Sequence, residues 1–217
     1  MRKYEDSYRH KGLRKKLVEV IKSKGITEER VLAAIENIPR HFFLDSVFDE
    51  VAYEDRAFPI TAGQTISQPY TVAYQTQLLE IKPFAKVLEI GTGSAYQASV
   101  LAEMGAQVFT IERQKKLFDD NKKFSYIKKY PNIKFFYGDG YEGLPTYAPF
   151  DRILITAAAP EIPKKLISQL KRGGMMVIPV GGGDLQTMKR ITKLENGTVQ
   201  EDAFALFSFV PMLGGKQ

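Results

Sequence analysis

Hydrophobic positions follow two rhythms along this chain. In the first stretch they recur at helical spacing: Leu13, Leu17, Val20 and Ile21 run up to Gly25, a residue suited to ending a helix. Thr27 can cap a second helix carrying Val31, Ile35 and Ile38, which Pro39 ends. RHFFLDSVFDEVAYEDRAFP, residues 40–59, has no clear period and reads as short helices and loops lying over a core. His41 sits there among Phe and Leu, as a packed ring rather than a catalytic one. TVAYQTQLLEI, residues 71–81, predicts a helix with Val72, Leu78, Leu79 and Ile81 on or near one face.

From residue 86 the rhythm becomes short apolar runs separated by helical stretches. KVLEIG (86–91), QVFTIE (107–112), IKFFYGDG (133–140), FDRILITAA (150–158) and MMVIPVGG (175–182) read as strands. Between them, SAYQASVLAEMG reads as a helix closed by Gly105, QKKLFDDNKKFSYIKKY (114–130) as another, and PKKLISQLKRGG as a third ending at Gly173. LQTMKRITKLE (185–195) and DAFALFSFVPM (202–212) read as antiparallel strands joined by the turn residues NGT. Strand–helix alternation with apolar strands implies an α/β fold: a doubly wound, mostly parallel seven-stranded sheet with helices on both faces. One domain over residues 1–217 is expected, with a helical extension and loop over 1–80 and an α/β core over 81–217.

Composition narrows the classes. There is no cysteine, which excludes disulfides, thiolate metal sites and thiol nucleophiles. No run approaches the roughly 20 apolar residues of a membrane helix, and the N-terminus lacks the apolar centre of a signal peptide. A cytoplasmic protein with no membrane partner is the expectation. The net charge of +6 invites a nucleic-acid reading, but residues 1–24 hold nine Lys/Arg against three Asp/Glu, and the remainder is balanced. A basic, solvated first helix accounts for that. No metal constellation is visible.

Ligands of such sheets bind beyond the carboxyl ends of the strands. The first strand ends in LEIGTGSAYQ, where Gly91 and Gly93 permit a tight turn and Ser94 and its neighbours open a helix whose positive end favours an anion. The second ends at Glu112, 19 residues after Gly93, the usual distance to an acid that takes ribose hydroxyls. The third ends in GDG, with Asp139 expected to be exposed on a turn. Each residue alone is an ordinary turn or strand-end residue. At three successive strand ends they point to an adenosine-bearing cofactor. A nicotinamide or flavin fingerprint would have Gly where the chain has Tyr96. Glu89 suggests S-adenosylmethionine instead, since an acid there can face the methionine ammonium.

GQTISQPY, VLEIGTGSAYQ, GDG, APFDRILITAAAPEIP, QLKRGGMMVIPVG and FSFVPM together closely resemble the protein-L-isoaspartate O-methyltransferase family, from the second helix to the last strand. The resemblance implies a Rossmann-like methyltransferase fold. It also implies methyl transfer from S-adenosyl-L-methionine, leaving S-adenosyl-L-homocysteine, to the free α-carboxylate of L-isoaspartyl residues in damaged proteins and peptides. The ester then closes to a succinimide. The resemblance assigns the loop around residues 65–67 to covering the cofactor, Thr65 and Ile66 to lining it, and Ser67 to contacting the substrate carboxylate. Glu89, Gly91, Thr92, Gly93, Ser94, Glu112, Arg113, Asp139 and Gly140 complete the expected cofactor site. Where the family writes Gly-Ser-Gly the chain has Gly93-Ser94-Ala95, and the methyl group is expected at a close helix–strand contact.

Other readings of the residues stay open. In GQTISQPYTVA, Pro69 suits the first turn of a helix that Ser67 or Gln68 could cap. A nucleic-acid methyltransferase is the first rival, although amino-group methylation uses an Asn/Asp-Pro-Pro-aromatic segment where the chain has TAAAP, and cytosine C5 methylation needs a cysteine. A non-catalytic cofactor-binding module is the second. The expected partners are isoaspartyl proteins and peptides rather than nucleic acid, and a monomer is favoured.

Overall fold

The computed structural model describes residues 5–217. Of the basic N-terminal stretch, Arg2 and Lys3 lie outside the described residues. The chain opens with α1 (Tyr8–Ser23), whose first turn is closed by a capping box between Ser7 and His10. Gly25, at φ +96°, lets the chain leave the helix in a left-handed turn. The buried stripe of α1 is Arg14, Leu17, Val18 and Ile21. Val20, counted with the core from its spacing, lies on the flank and is 43% exposed. In α2 (Glu29–Asn37) the cap is Glu28 rather than Thr27, whose amide instead donates to Gln77 Oε1 at 2.8 Å. A ribbon of β1 (Phe58–Pro59) and β2 (Thr65–Ile66) then leads into α3 (Pro69–Leu78).

Seven strands follow: β3 (Lys86–Ile90), β4 (Gln107–Glu112), β5 (Ile133–Tyr137), β6 (Phe150–Ile155), β7 (Leu170–Val180), β8 (Gln186–Lys193) and β9 (Val199–Phe207). They form one sheet in the order β5-β4-β3-β6-β7-β8-β9. β3 to β7 pair in parallel, and β8 and β9 close the far edge antiparallel. The chain winds outward from β3 through β5, then returns to the other side of β3 with β6. The switch point therefore lies at the carboxyl ends of β3 and β6, where such sheets leave a crevice.

Strand residues alternate between two cores. Val87, Val108, Leu154 and Val177 pack with α1, α2, α3 and α4 (Tyr96–Glu103). Leu88, Phe109, Ile153 and Met176 pack on the opposite face with Leu166 of α6 (Lys164–Ser168) and with Tyr141 and Leu144. Both faces are covered, which is why these strands read as continuous apolar runs. The covering is uneven, since the N-terminal helices occupy one face only.

Three boundaries differ from the sequence expectation. The helix expected over 114–130 is α5 (Lys115–Lys123), followed by a 3-10 turn at Ser125–Lys129. Phe124, Ile127 and Tyr130 are spaced by three, the period of that tighter helix. The helix expected to end at Gly173 stops at Ser168, and β7 begins two residues later with a register shift opposite Phe150 and Arg152. Gly173 (φ +72°) and Gly174 sit in that irregularity, and a Cβ at Gly174 would come within 2.8 Å of the Lys171 carbonyl. The last strand ends at Phe207. Beyond it the Ala158 amide donates to the Val210 carbonyl (2.8 Å) and the Met212 amide to the Ala158 carbonyl (2.7 Å), drawing the tail across the strand ends.

Candidate active site

A cavity of about 1000 Å³ opens at the switch point. Ten of the sequence-selected residues line it: Thr65, Ile66, Ser67, Gly91, Thr92, Gly93, Ser94, Glu112, Arg113 and Gly140. Glu89 and Asp139 do not.

The glycine turn after β3 is held from several directions. The amides of Gly91 and Thr92 both donate to the Ile111 carbonyl, at 3.0 and 3.1 Å. Gly91 has φ +95°, and a Cβ there would lie 2.6 Å from Thr156 Oγ1. That hydroxyl donates to the carbonyls of Ile90 and Gly91. The Gly93 amide donates to Glu112 Oε2 at 2.9 Å, and the Gln114 amide to Glu112 Oε1 at 2.8 Å. Asn121 Nδ2 of α5 donates to the Gly93 carbonyl. The acid at the end of β4 is thus buried and fixed in orientation before any ligand arrives.

The start of α4 differs from expectation. Ala95 is its N-terminal boundary residue, at φ +66° and fully buried. The family glycine is explained by this left-handed backbone more than by close packing, so helix propensity does not govern the substitution. The Ala95 amide donates to the Thr92 carbonyl and the Tyr96 amide to Ser94 Oγ, so the turn itself uses amides expected to face an anion.

Glu89 is wholly buried on the sheet face that carries the N-terminal helices, and neither carboxylate oxygen has a hydrogen-bond partner among the described residues. Burial pushes its carboxyl up to about 8; the neighbouring Thr110 hydroxyl opposes the shift without reaching hydrogen-bond geometry. Asp139 is half-buried rather than exposed, and its two oxygens accept from the amides of Tyr141 (2.9 Å) and Gly215 (2.6 Å). Arg113 is tied to the same tail, through Gly214, Gly215 and Gln217. Gly140 is needed for packing: a Cβ there would meet Ile90 Cγ2 at 2.4 Å.

On the opposite wall, Ser67 precedes α3. Neither Ser67 nor Gln68 caps that helix through its side chain. The cap comes from Asp55, whose Oδ1 accepts from the Tyr70 amide at 2.8 Å while its Oδ2 takes Lys24 Nζ (2.5 Å) and Gln68 Nε2 (3.1 Å). The Ser67 carbonyl accepts from Arg40 at 2.9 Å, whereas its hydroxyl has no hydrogen-bond partner among the described residues.

Reading strand ends past the third would have found Thr156, at the end of β6. Asp55, Arg56, Tyr70 and the tail residues Val210 to Leu213 also line the cavity, and no local motif marks them. His10 and His41 are outside it. Their rings stack at 3.8 Å, and with Asp6 they form a group close enough to hold a metal ion. The stacked rings cannot both aim a nitrogen in-plane at one ion, and their nitrogens are bonded to Ser7, Asp49, Tyr53 and the Glu5 carbonyl.

Comparison with known proteins adds an independent line. Residues 12–217 match the family model described as protein-L-isoaspartate(D-aspartate) O-methyltransferase, a match that begins within α1. A protein-L-isoaspartate O-methyltransferase of Christiangramia forsetii is 54% identical over 98% of this chain and 99% of its own. One of Cytophaga hutchinsonii is 56% identical over 97% and 95%. Among solved structures, a Plasmodium falciparum chain described as a protein-L-isoaspartate O-methyltransferase, in complex with S-adenosyl-L-homocysteine, is similar at 26% identity. It covers 92% of this chain and 98% of that one, with a TM-score of 0.80.

Proposed function

The chain belongs to the protein-L-isoaspartate O-methyltransferase family, and from that premise we propose how its crevice transfers a methyl group from S-adenosylmethionine to the α-carboxylate of L-isoaspartyl residues. The observation that carries the reading is the sharing of one cavity by the braced Gly91–Glu112 turn and a Ser67 hydroxyl that has no hydrogen-bond partner among the described residues.

The residues fit the cofactor. Glu112 is already oriented by two amides, so its remaining lone pairs can accept ribose hydroxyls with little reordering. The glycine turn leaves no side chain between backbone and ligand at 91 and 93. Thr65 and Ile66 cover the same space from the other wall. Asp139 acts at one remove, by fixing the tail whose Met212 and Leu213 line the cavity. Glu89, two residues before Gly91, is a buried acid outside the cavity lining with no hydrogen-bond partner among the described residues, and a cationic group drawn near it would favour its ionised form.

Bound cofactor supplies an electrophilic methyl on a sulfonium. The chain supplies position. An isoaspartyl α-carboxylate has a pKa of about 3 to 4 and is an oxyanion at neutral pH without a base. No histidine lines the cavity, and none is needed. Ser67 would donate to one carboxylate oxygen, leaving the other free to meet the methyl group the cofactor would supply. Orientation of this kind is worth on the order of 7 to 11 kcal/mol. Of the cations lining the cavity, Lys24 pairs with Asp55 and Arg56 with Glu54, while Arg113 is held by tail carbonyls, which favours a peptide over a polyanion.

The test is labelled methyl transfer to three acceptors: an L-isoaspartyl peptide, the matching L-aspartyl peptide, and RNA. In the first, the α-carboxylate hangs free of the chain. A site that pairs both that carboxylate and the flanking backbone leaves polar groups unpaired with normal aspartate, at about 1 to 3 kcal/mol each. Methylation of the isoaspartyl peptide alone is expected. Equal rates on both peptides, or activity on RNA alone, would overturn the reading.

A further inference from the structure

Arg40 is fully buried, and no carboxylate lies within 4.0 Å of it among the described residues. Burying a cation without a counter-ion is costly, and burial pulls this guanidinium down to about 10, still charged at neutral pH. Nε and Nη2 of its fork are spent on backbone, while Nη1 is buried with no hydrogen-bond partner among the described residues. Nε donates to the Ala52 carbonyl (3.1 Å), and Nη2 donates to the carbonyls of Ser67 (2.9 Å) and Arg56 (3.4 Å). Its face lies over the Tyr96 ring, 5.0 Å from the centroid, at the first residue of α4. Three segments bearing cavity residues therefore converge on one side chain that does not itself line the cavity.

Just beyond Ser67, Asp55 holds the Gln68 side chain and the Tyr70 amide. The chain is gripped at the Ser67 carbonyl and at the Tyr70 amide three residues later, while the Ser67 hydroxyl has no partner among the described residues. That is the arrangement expected of a group whose supports are locked and whose working atom is reserved.

We propose that Arg40 is a positioning residue for methyl transfer: by holding the Ser67 carbonyl from behind the crevice, it sets the direction in which the Ser67 hydroxyl meets the substrate carboxylate. The proposal rests on the reading of Ser67 above. Arg40 touches neither cofactor nor substrate. Lysine cannot replace it, because a single ammonium cannot reach three carbonyls in fixed directions.

The experiment is a double-mutant cycle between Arg40→Lys and Ser67→Ala, with Arg40→Gln as a second, uncharged variant. Turnover on isoaspartyl peptide is measured beside calorimetric affinity for S-adenosyl-L-homocysteine. Folded Arg40→Lys should lose on the order of 10- to 100-fold in kcat, as for a small misplacement of a reacting group. Its affinity for S-adenosyl-L-homocysteine should stay within about twofold. In the Ser67→Ala background, Arg40→Lys should cost little more. An unchanged kcat, or the same loss in both backgrounds, makes Arg40 a structural residue only and overturns the proposal. So does failure of both variants to fold with saturating S-adenosyl-L-homocysteine. If Ser67→Ala alone keeps full turnover, it is the reading of Ser67 that fails.

Discussion

The carboxylate of Glu112 and the amide of Gly93 meet at 2.9 Å. One bond thus ties the glycine turn after β3 to the end of β4, across 19 residues of sequence. The acid that the spacing marks as a ribose ligand is first a brace for the turn. Glu112→Ala leaves two amides, the half-buried Gly93 and the buried Gln114, without acceptors. Each should cost about 1 to 3 kcal/mol. Denaturant unfolding should show the loss of stability, and calorimetry a weaker binding of S-adenosyl-L-homocysteine. A mutant as stable as the parent would remove the bracing role.

Ala95 occupies a left-handed backbone position at φ +66°, a strain of roughly 1 to 2 kcal/mol for a residue with a Cβ. Glycine relieves it, but loses a buried methyl worth about 0.8 kcal/mol and gains freedom in the unfolded chain. Because these effects oppose one another, Ala95→Gly should lie within about 1 kcal/mol of the parent. Ala95→Val should be clearly destabilised, because a branched Cβ tolerates this region least. Melting temperatures of the pair decide the point; equal tolerance of valine would contradict the backbone account.

Glu89 gives a pH dependence with a defined sign. Its carboxyl moves from 4.5 to about 8 on burial, so the folded state holds a proton that the unfolded chain releases in that window. Stability without cofactor should fall as pH rises from about 5 to about 8. Every tenfold difference in proton affinity between the folded and unfolded chain is worth about 1.4 kcal/mol. Glu89→Gln should flatten this decline and be more stable than the parent at pH 8. Unfolding curves at pH 6 and pH 8 check it; parallel behaviour of mutant and parent would show that Glu89 ionises without penalty.

The parallel sheet was legible because β3, β4 and β6 are apolar on both faces, and because β3, β4 and β5 end in or run into Gly, Glu or Asp residues at their carboxyl ends. The turn around Gly91 and Gly93 was legible for the same reason. The α6–β7 junction was not: KRGG ends in a glycine pair that suits a helix stop as well as a strand irregularity, and only pairing with Phe150 and Arg152 decides. Asp55 and Arg40 were invisible because they act on residues 67 to 70 through space, from a segment without periodicity. The hold of Asp139 on the C-terminal tail was not legible, because the Gly215 amide it accepts from is 76 residues away.

Ser67 tests the account most directly. Its hydroxyl has no partner among the described residues, and Asp55 provides the cap of α3. Ser67→Ala should keep its melting temperature and its affinity for S-adenosyl-L-homocysteine. Its kcat on an isoaspartyl peptide should fall by at least about tenfold, the effect of one lost hydrogen bond to a charged oxygen. A mutant that turns over as fast as the parent, or one that melts far lower while keeping its specific activity, would contradict the claim that this hydroxyl orients the substrate carboxylate.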